Sequence, residues 1–366
     1  MSSPELLRSW LRQAFIRLVA DQTGLKIRDN DQESFGEIIV KRTQRVGLSF
    51  PENYYELLDS ETDKSRKEWT ILISELTNSE TFFFRDKGQI SLLKHSILPT
   101  LLAQKQSSKT LRICSAGCST GEEPYSIAML LRELVPDLDP WDLTVLGVDI
   151  NSASVNKARA GVYRAWSLRG VDKNIKRRFF QEKDGQYHVN KAIRDMVRFQ
   201  TVNLLNNSFS DPSFDIKDMD LIICRNVFIY FGDAAIKTVL DKFYNALQPS
   251  GYLLVGHAEL HSQNPTQFQM KVFEESIAYQ RPSDRHIAAD ILMQSFPAES
   301  LPDSDFSEAA KLRNFENLFA GHDSKMQEVA LNLLRQLPAD AKISRLGNRT
   351  ASELILQIQA KLQETD

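Results

Sequence analysis

At 366 residues and 41.8 kDa the chain has the length for two or three domains with a substantial core. A hydrophobic share of 42% and a charged share of 25% exclude a disordered or collagen-like polypeptide. The 45 Lys+Arg against 48 Asp+Glu, with a pI near 6.1, argue against life on a nucleic-acid backbone, so no nucleic-acid partner is expected.

No run approaches the ~18 apolar residues of a membrane span. Met1–Trp10 carries Pro4, Glu5 and Arg8 without an apolar core. Neither membrane insertion nor a signal peptide is therefore expected, and a cytoplasmic location is. The three cysteines, Cys114, Cys118 and Cys224, suit reduced thiols. Their C-x-x-x-C pair without nearby histidines is poor zinc spacing, so buried small side chains and no metal are expected.

In chain order, residues 1–105 read as helical. Leu7, Leu11, Ile16 and Leu18 begin an apolar pattern, Phe35, Ile38 and Ile39 continue it, and Trp69, Leu72, Ile73 and Leu76 repeat it. Ser107-Ser108-Lys109 breaks the pattern as a linker. From Thr110, short apolar runs at Leu111–Ser115, Leu143–Val148, Leu221–Cys224 and Tyr252–Gly256 suit buried parallel strands. They alternate with helical stretches such as Tyr125–Leu134 and Ala234–Leu247, which predicts a doubly wound α/β sheet. Lys183–Asn190 reads as an inserted hairpin. After Arg281-Pro282 the strand signals stop, and Pro297 and Pro302 punctuate a polar linker. Three amphipathic patterns follow: Leu312/Phe315/Phe319, Met326/Val329/Leu333 and Leu354/Ile355/Ile358/Leu362. The expected division is 1–105 helical, 106–285 the sheet domain with a β-insert near 160–200, and 286–366 a linker with a helical extension.

The chemistry concentrates after the first strand, in Ala116-Gly-Cys-Ser-Thr-Gly-Glu-Glu-Pro-Tyr-Ser126. Gly117 and Gly121 let a ligand approach the backbone, ahead of a helix N-terminus. Glu122 and Glu123 at that terminus oppose a phosphate and suit a ligand carrying positive charge. An ordinary tight turn with acids favoured by the helix dipole is the plain alternative. The second strand ends at Asp149, where doubly wound folds hold ribose hydroxyls. A dinucleotide and S-adenosylmethionine both remain open, and the lack of G-x-G-x-x-G favours the second.

With Gly147-Val-Asp-Ile150, Val202-Asn-Leu-Leu205, Cys224-Arg-Asn-Val-Phe-Ile-Tyr-Phe231 and Thr77-Asn-Ser-Glu-Thr-Phe-Phe-Phe-Arg85, the chain resembles the CheR-type chemoreceptor methyltransferases over roughly residues 10–280. The resemblance implies a class I, Rossmann-like methyltransferase sheet behind an all-helical N-terminal domain in a bacterial chemotaxis protein. It implies S-adenosylmethionine as cofactor, S-adenosylhomocysteine as product and glutamates on the methylation helices of chemoreceptors as substrate. By position, Ser79, Thr81 and Arg85 match residues reaching the cofactor from the helical side, with Gly117 in the loop. Glu123 or Glu122 matches the acid near the methionine amino group, and Asp149 the ribose acid. Asn203 and Leu204 match the pair near the adenine, Arg225 and Asn226 lie in the fourth-strand motif, and Arg85 and Tyr230 match the residues nearest the reactive methyl. Ser79 departs from the asparagine often found there.

Methyl transfer to an ionised carboxylate is an in-line displacement that needs orientation and exclusion of water rather than a strong base. Arg85 suits a fork on the carboxylate, with an interdomain salt bridge as its plain reading. Tyr230 suits acceptor orientation, with a core aromatic as its plain reading. His257 and Glu259 are candidates for the substrate mouth. Lys41, Arg42 and Arg45 are candidates for a basic face that receives an acidic receptor helix, against a merely solvated face. The hairpin lacks the glycine pattern expected for docking a receptor C-terminus. The chain is expected to be monomeric. A cofactor-binding module without turnover, acting through its helical tail, is the competing class, and a small-molecule or RNA methyltransferase is a third.

Overall fold

The structure is a computed structural model that describes residues 7–283 except 136, 258, 261, 262 and 264, together with 342–343 and 349–350. Apolar residues spaced three and four apart fold the first segment into four helices, and their stripes meet in one core. In α1 (Ser9–Thr23) these are Leu11, Phe15, Leu18 and Val19; in α2 (Gln32–Arg45), Phe35 and Ile39. Tyr54 and Leu58 come from α3 (Pro51–Asp59) and Leu72 from α4 (Asp63–Leu76). Gly24, at φ 80°, ends α1 and donates its N–H to the Ala20 carbonyl. Thr62 caps α4 by accepting the Ser65 N–H.

The expected basic face of α2 loses Arg42, while Lys41 and Arg45 stay exposed. Phe35, Ile39 and Arg42 fall at i, i+4 and i+7, so Arg42 lies on the buried stripe. Its Nε and Nη2 each bond the Glu68 carboxylate at 2.8 Å, and the Tyr54 hydroxyl donates to the same group at 2.8 Å. That pairing raises the Arg42 pKa, while burial raises that of Tyr54. Arg45 pairs with Glu75 at 2.9 Å, and Lys41, exposed, with Glu37.

An extended stretch leads to α5 (Lys87–Leu92), a π-turn over Leu93–Ile97 and α6 (Leu98–Gln104). The sheet unit then runs β1 (Thr110–Ala116), α7 (Glu122–Leu134), β2 (Asp142–Asp149), α8 (Ser152–Ala160), β3 (Val162–Tyr163), α9 (Lys173–Phe179), β4 (Phe180–Lys183), β5 (Gln186–Val189), α10 (Lys191–Arg194) and β6 (Val197–Thr201). It closes with β7 (Met219–Cys224), α11 (Asp233–Ala246), β8 (Leu247–Val255), β9 (Gln269–Val272) and β10 (Ile277–Gln280). The main sheet is ordered β6-β2-β1-β7-β8-β10-β9, parallel from β6 to β8 and antiparallel beyond.

Its central strands β1 and β7 are buried on both faces, as continuous apolar runs require. Leu221 and Ile223 of β7 belong to the same core as Ile127 and Leu131 of α7; Ile222 and Cys224 belong to the core on the other face, with Val239 and Phe243 of α11. Each such side chain contributes about 1.5–3 kcal/mol relative to exposure. The doubly wound α/β expectation holds. The antiparallel pair β9–β10 was not read from the sequence, because β9 is an edge strand with Met270 and Val272 facing solvent and no apolar run marks it. The hairpin Lys183–Asn190 is present as β4–β5, turning through Asp184 and Gly185 at φ 52° and 70°, and it pairs with β3.

Residues 282–366 form a second unit. Beyond Pro282 and Ser283, its described residues are β11 (Lys342–Ile343) and β12 (Arg349–Thr350), paired antiparallel. A purely helical extension did not include this pair, and a glycine within the five residues that separate the two strands was the available sequence signal. The three amphipathic patterns lie outside the described residues.

Candidate active site

Strand order reverses direction at β1, so the loops after β1 and β7 part and leave a crevice at the carboxyl ends of the strands. Gly117 and Cys118 donate their N–H groups to the Val148 carbonyl at 2.8 and 2.9 Å, tying the first loop to β2. Gly117 sits at φ 75°, and a Cβ there would lie 2.3 Å from Val227 Cγ2, so the turn requires glycine. Ser119 takes φ 50° and donates its N–H to Asp149 Oδ2 at 2.8 Å. Asp149 Oδ1 accepts the Asn151 N–H, also at 2.8 Å. Burial raises the Asp149 pKa against these two bonds.

The extended stretch after α4 is stitched onto the same loops. Ser119 Oγ donates to the Ser79 carbonyl at 2.9 Å, Ser79 Oγ and Ser154 Oγ share a hydrogen at 2.9 Å, and Asn151 Nδ2 donates to Thr77 Oγ1 at 2.9 Å. Across the crevice, β7 runs into Asn226 at φ 59° and a 3-10 turn over Phe228–Tyr230. The segment after α1 grips this turn: Lys26 donates its N–H to the Tyr230 carbonyl at 2.7 Å, Arg28 Nη2 donates to the Ile229 carbonyl at 3.0 Å, and Leu25 bridges Phe231.

The cavity between these walls is lined by Thr23, Leu76, Thr77, Asn78, Ser79, Gly117, Ser119, Asp149, Ile150, Val202, Leu204, Asn226, Val227, Tyr230 and Phe231. Among the described residues no Lys, Arg or His lines it, and Asp149 supplies a carboxylate. A phosphate finds no counter-charge there. A flat apolar ring finds Leu76, Ile150, Val202 and Leu204, and a pair of hydroxyls finds an acceptor in Asp149. Tyr230, 37% exposed, stands where a second molecule can approach from solvent.

Six residues singled out in the sequence therefore share one cavity: Ser79, Gly117, Asp149, Leu204, Asn226 and Tyr230. Thr81 is half-buried in the segment before α5 and does not line it. Glu123 accepts from Ser115 Oγ at 2.7 Å and from Arg225 Nε at 2.6 Å. Arg225 Nη1 also donates to the Arg85 carbonyl at 2.9 Å and to Gln89 Oε1 at 3.1 Å. Glu123 and Arg225 thus form a buried pair beneath the loops. Arg85 donates to the Glu80 carbonyl and lies 5.9 Å from the Phe82 ring centroid, outside the lining. Glu122 accepts from Thr120 Oγ1 at 2.6 Å, and burial raises its pKa. Asn203 Oδ1 accepts the N–H groups of Leu205 and Asn206, and its Nδ2 donates to the Gln22 carbonyl.

The two proposed mouth residues are engaged elsewhere. His257 Nε2 lies 2.8 Å from Asp86 Oδ2, and Glu259 is buried beneath the Asn226–Ile229 turn. All three cysteines are buried; burial pushes the Cys114 pKa up to about 12 and raises those of Cys118 and Cys224. Sequence reasoning did not single out Thr23, Leu76, Thr77, Asn78, Ser119, Ile150, Val202, Val227 or Phe231 as lining residues. Ser119 stood inside the quoted loop and was legible by place, whereas Thr23 closes α1 and reaches the cavity only through the chain's return at Gly24.

Comparison with known proteins gives the same direction. Residues 79–277 match the family described as CheR methyltransferase, SAM binding domain. Chemotaxis protein methyltransferase 2 of Vibrio cholerae is 34% identical over 219 residues, covering 60% of this chain and 75% of that one. The chemotaxis protein methyltransferase of Escherichia coli is 31% identical over 259 residues, covering 70% and 86%. That of Borreliella burgdorferi is 35% identical over 192 residues, covering 51% and 66%. The chain belongs to the CheR family of S-adenosylmethionine-binding chemotaxis methyltransferases.

Proposed function

We propose that this chain methylates glutamate side chains on chemoreceptors, giving glutamate methyl esters and S-adenosylhomocysteine. The observation that carries the reading is one cavity lined by both Asp149 and Tyr230, with no cationic lining residue among those described. Bound S-adenosylmethionine supplies a methyl group activated by its sulfonium. In this reading Asp149 accepts hydrogen bonds from both ribose hydroxyls, and Leu204 with Val202 packs on the adenine, where Asn203 stiffens the turn. Ser79, Gly117 and Asn226 border the rest of the molecule. Glu123 and Arg225 hold the β1 and β7 loops together beneath it rather than reaching into the cavity.

Above the usual carboxylate pKa the acceptor is already ionised, so the residues at the rim need only orient it in line and exclude water. Tyr230 donates its hydroxyl to the acceptor oxygen. Arg85, whose backbone is fixed by Arg225, offers its guanidinium fork to the same carboxylate. Residues 1–105 serve as the helical domain on the acceptor's side, 106–285 as the methyltransferase domain with its β-insert, and 286–366 as an extension. The acceptor is a receptor's cytoplasmic methylation helix.

The test uses the full-length protein with S-adenosylmethionine labelled in the methyl group and membranes bearing chemoreceptors. Label carried by receptor and released by mild base marks a carboxyl methyl ester and supports the reading. Label that stays bound through base, or appears on no receptor, refutes it.

A further inference from the structure

Tyr230 and Asn226 reach the cavity from a tight turn. Asn226 holds φ 59°, in the left-handed region that asparagine enters more readily than most residues, and the turn is held from outside itself. The determinant is a side chain that the cavity does not contain. Glu259, 7% exposed, lies after β8 and accepts three backbone N–H groups. Its Oε2 takes those of Asn226 at 2.9 Å and Gly256 at 2.6 Å, and its Oε1 takes that of Ile229 at 3.3 Å. One carboxylate thus spans the turn from its first residue to the residue before Tyr230 and ties both to the end of β8. Space at this point is reserved for it, since a Cβ on Gly256 would lie 2.3 Å from Glu259 Oε2.

The opposite side of the turn is gripped by the carbonyl bonds from Lys26 and Arg28. Those fix Ile229 and Tyr230 by their oxygens, whereas Glu259 fixes the turn by its nitrogens. Backbone donors buried without an acceptor are costly. A turn built with its N–H groups pointing inward therefore needs an acceptor from outside itself, and an ionised carboxylate makes the strongest such bonds.

We propose that Glu259 is a positioning residue for methyl transfer: it acts through the Asn226–Tyr230 turn, setting the Tyr230 hydroxyl against the acceptor. The inference rests on the proposed role of Tyr230 and is separable from it. Glu259→Gln retains one acceptor oxygen but turns an amide N–H toward one of the three donors, so the turn loses its fixed register. Misplacement on this scale costs about 10- to 100-fold in rate.

The experiment measures kcat at saturating cofactor for the full-length protein, Tyr230→Phe, Glu259→Gln and the double variant. The expected result is a fall of about 10- to 100-fold for Glu259→Gln with the melting transition retained. Tyr230→Phe should then cost clearly less in the Glu259→Gln background than alone, because residues acting as a unit are not additive. A parental kcat for Glu259→Gln, or losses that simply multiply, overturns the proposal. Should Glu259→Gln not fold, Gly256→Ala displaces the carboxylate without removing it and must reproduce the loss of kcat; parental turnover there overturns the proposal. A parental rate for Tyr230→Phe alone removes the reading of Tyr230 instead. Amide exchange in the unaltered protein then decides for Glu259: slow exchange at Asn226 and Ile229 supports its hold on the turn, and fast exchange refutes it.

Discussion

Replacing Asp149 by Asn leaves the shape of the crevice floor nearly unchanged and removes one acceptor and one charge. Both carboxylate oxygens are used within the protein, each accepting a backbone N–H at 2.8 Å, from Ser119 and from Asn151. An amide satisfies one of these and turns its NH2 toward the other. Hydrogen bonds to charged groups are worth about 1.5–3 kcal/mol, and an orphaned buried donor costs about 1–3 kcal/mol. Asp149→Asn should therefore destabilise the fold by about 1–3 kcal/mol. Loss of the ionised acceptor for the ribose hydroxyls should weaken cofactor binding by about 2–3 kcal/mol, or about 30- to 150-fold. Calorimetric titration of S-adenosylmethionine and S-adenosylhomocysteine measures the second quantity, and urea denaturation the first. Both ligands should lose affinity alike, because they differ only at the sulfur. Burial raises the Asp149 pKa, so wild-type affinity should decline as pH falls through that raised value, and Asp149→Asn should flatten the decline. Affinity within about twofold of the parent, in a variant that folds, refutes the role given to this acid.

Three further outcomes follow from the same geometry. Gly117→Ala places a methyl 2.3 Å from Val227 Cγ2 at φ 75°, so it should cost about 2–4 kcal/mol from left-handed strain and overpacking and should weaken cofactor binding; a shift in urea midpoint checks the first. Glu68→Ala strands the buried Arg42 and the Tyr54 hydroxyl, so it should destabilise the helical segment by about 3–5 kcal/mol, read as lost helical ellipticity at lower temperature. Burial raises the Glu122 pKa above its unfolded value, so between those two values the folded state holds more protons than the unfolded one, and stability falls as pH rises across that window. Glu122→Gln should remove that part of the fall, and parallel melting-temperature curves for variant and parent between about pH 4 and pH 8 would refute it.

What the sequence revealed depended on whether a residue's role is local. Gly117 and Asp149 were legible because strand ends and tight turns confine chemistry to fixed places in a doubly wound sheet, and Asn226 came from the family resemblance alone. Long-range pairing was not legible. Glu123 and Arg225 were singled out as ligand contacts, and what the sequence did not disclose is that they bond one another at 2.6 Å across 102 positions, a juxtaposition set by the order of β1 and β7. Arg42 read as a surface cation because its type suggested solvent, while its place on the Phe35–Ile39 stripe already marked it as buried. Glu259 read as a mouth residue because its own run has no partner in sequence, and its partners are N–H groups of a turn some thirty positions earlier. β9 escaped because an exposed edge strand carries little apolar signal.

The measurement that bears most directly on the account is to locate the transferred methyl group by tandem mass spectrometry on chemoreceptor incubated with S-adenosylmethionine and either the unaltered protein or Asp149→Asn at equal, subsaturating cofactor. The account predicts methyl esters on glutamate side chains of the receptor's cytoplasmic helices with the unaltered protein, and their near-absence with Asp149→Asn. Methylation on another residue type, or equal ester formation by both proteins, would contradict it.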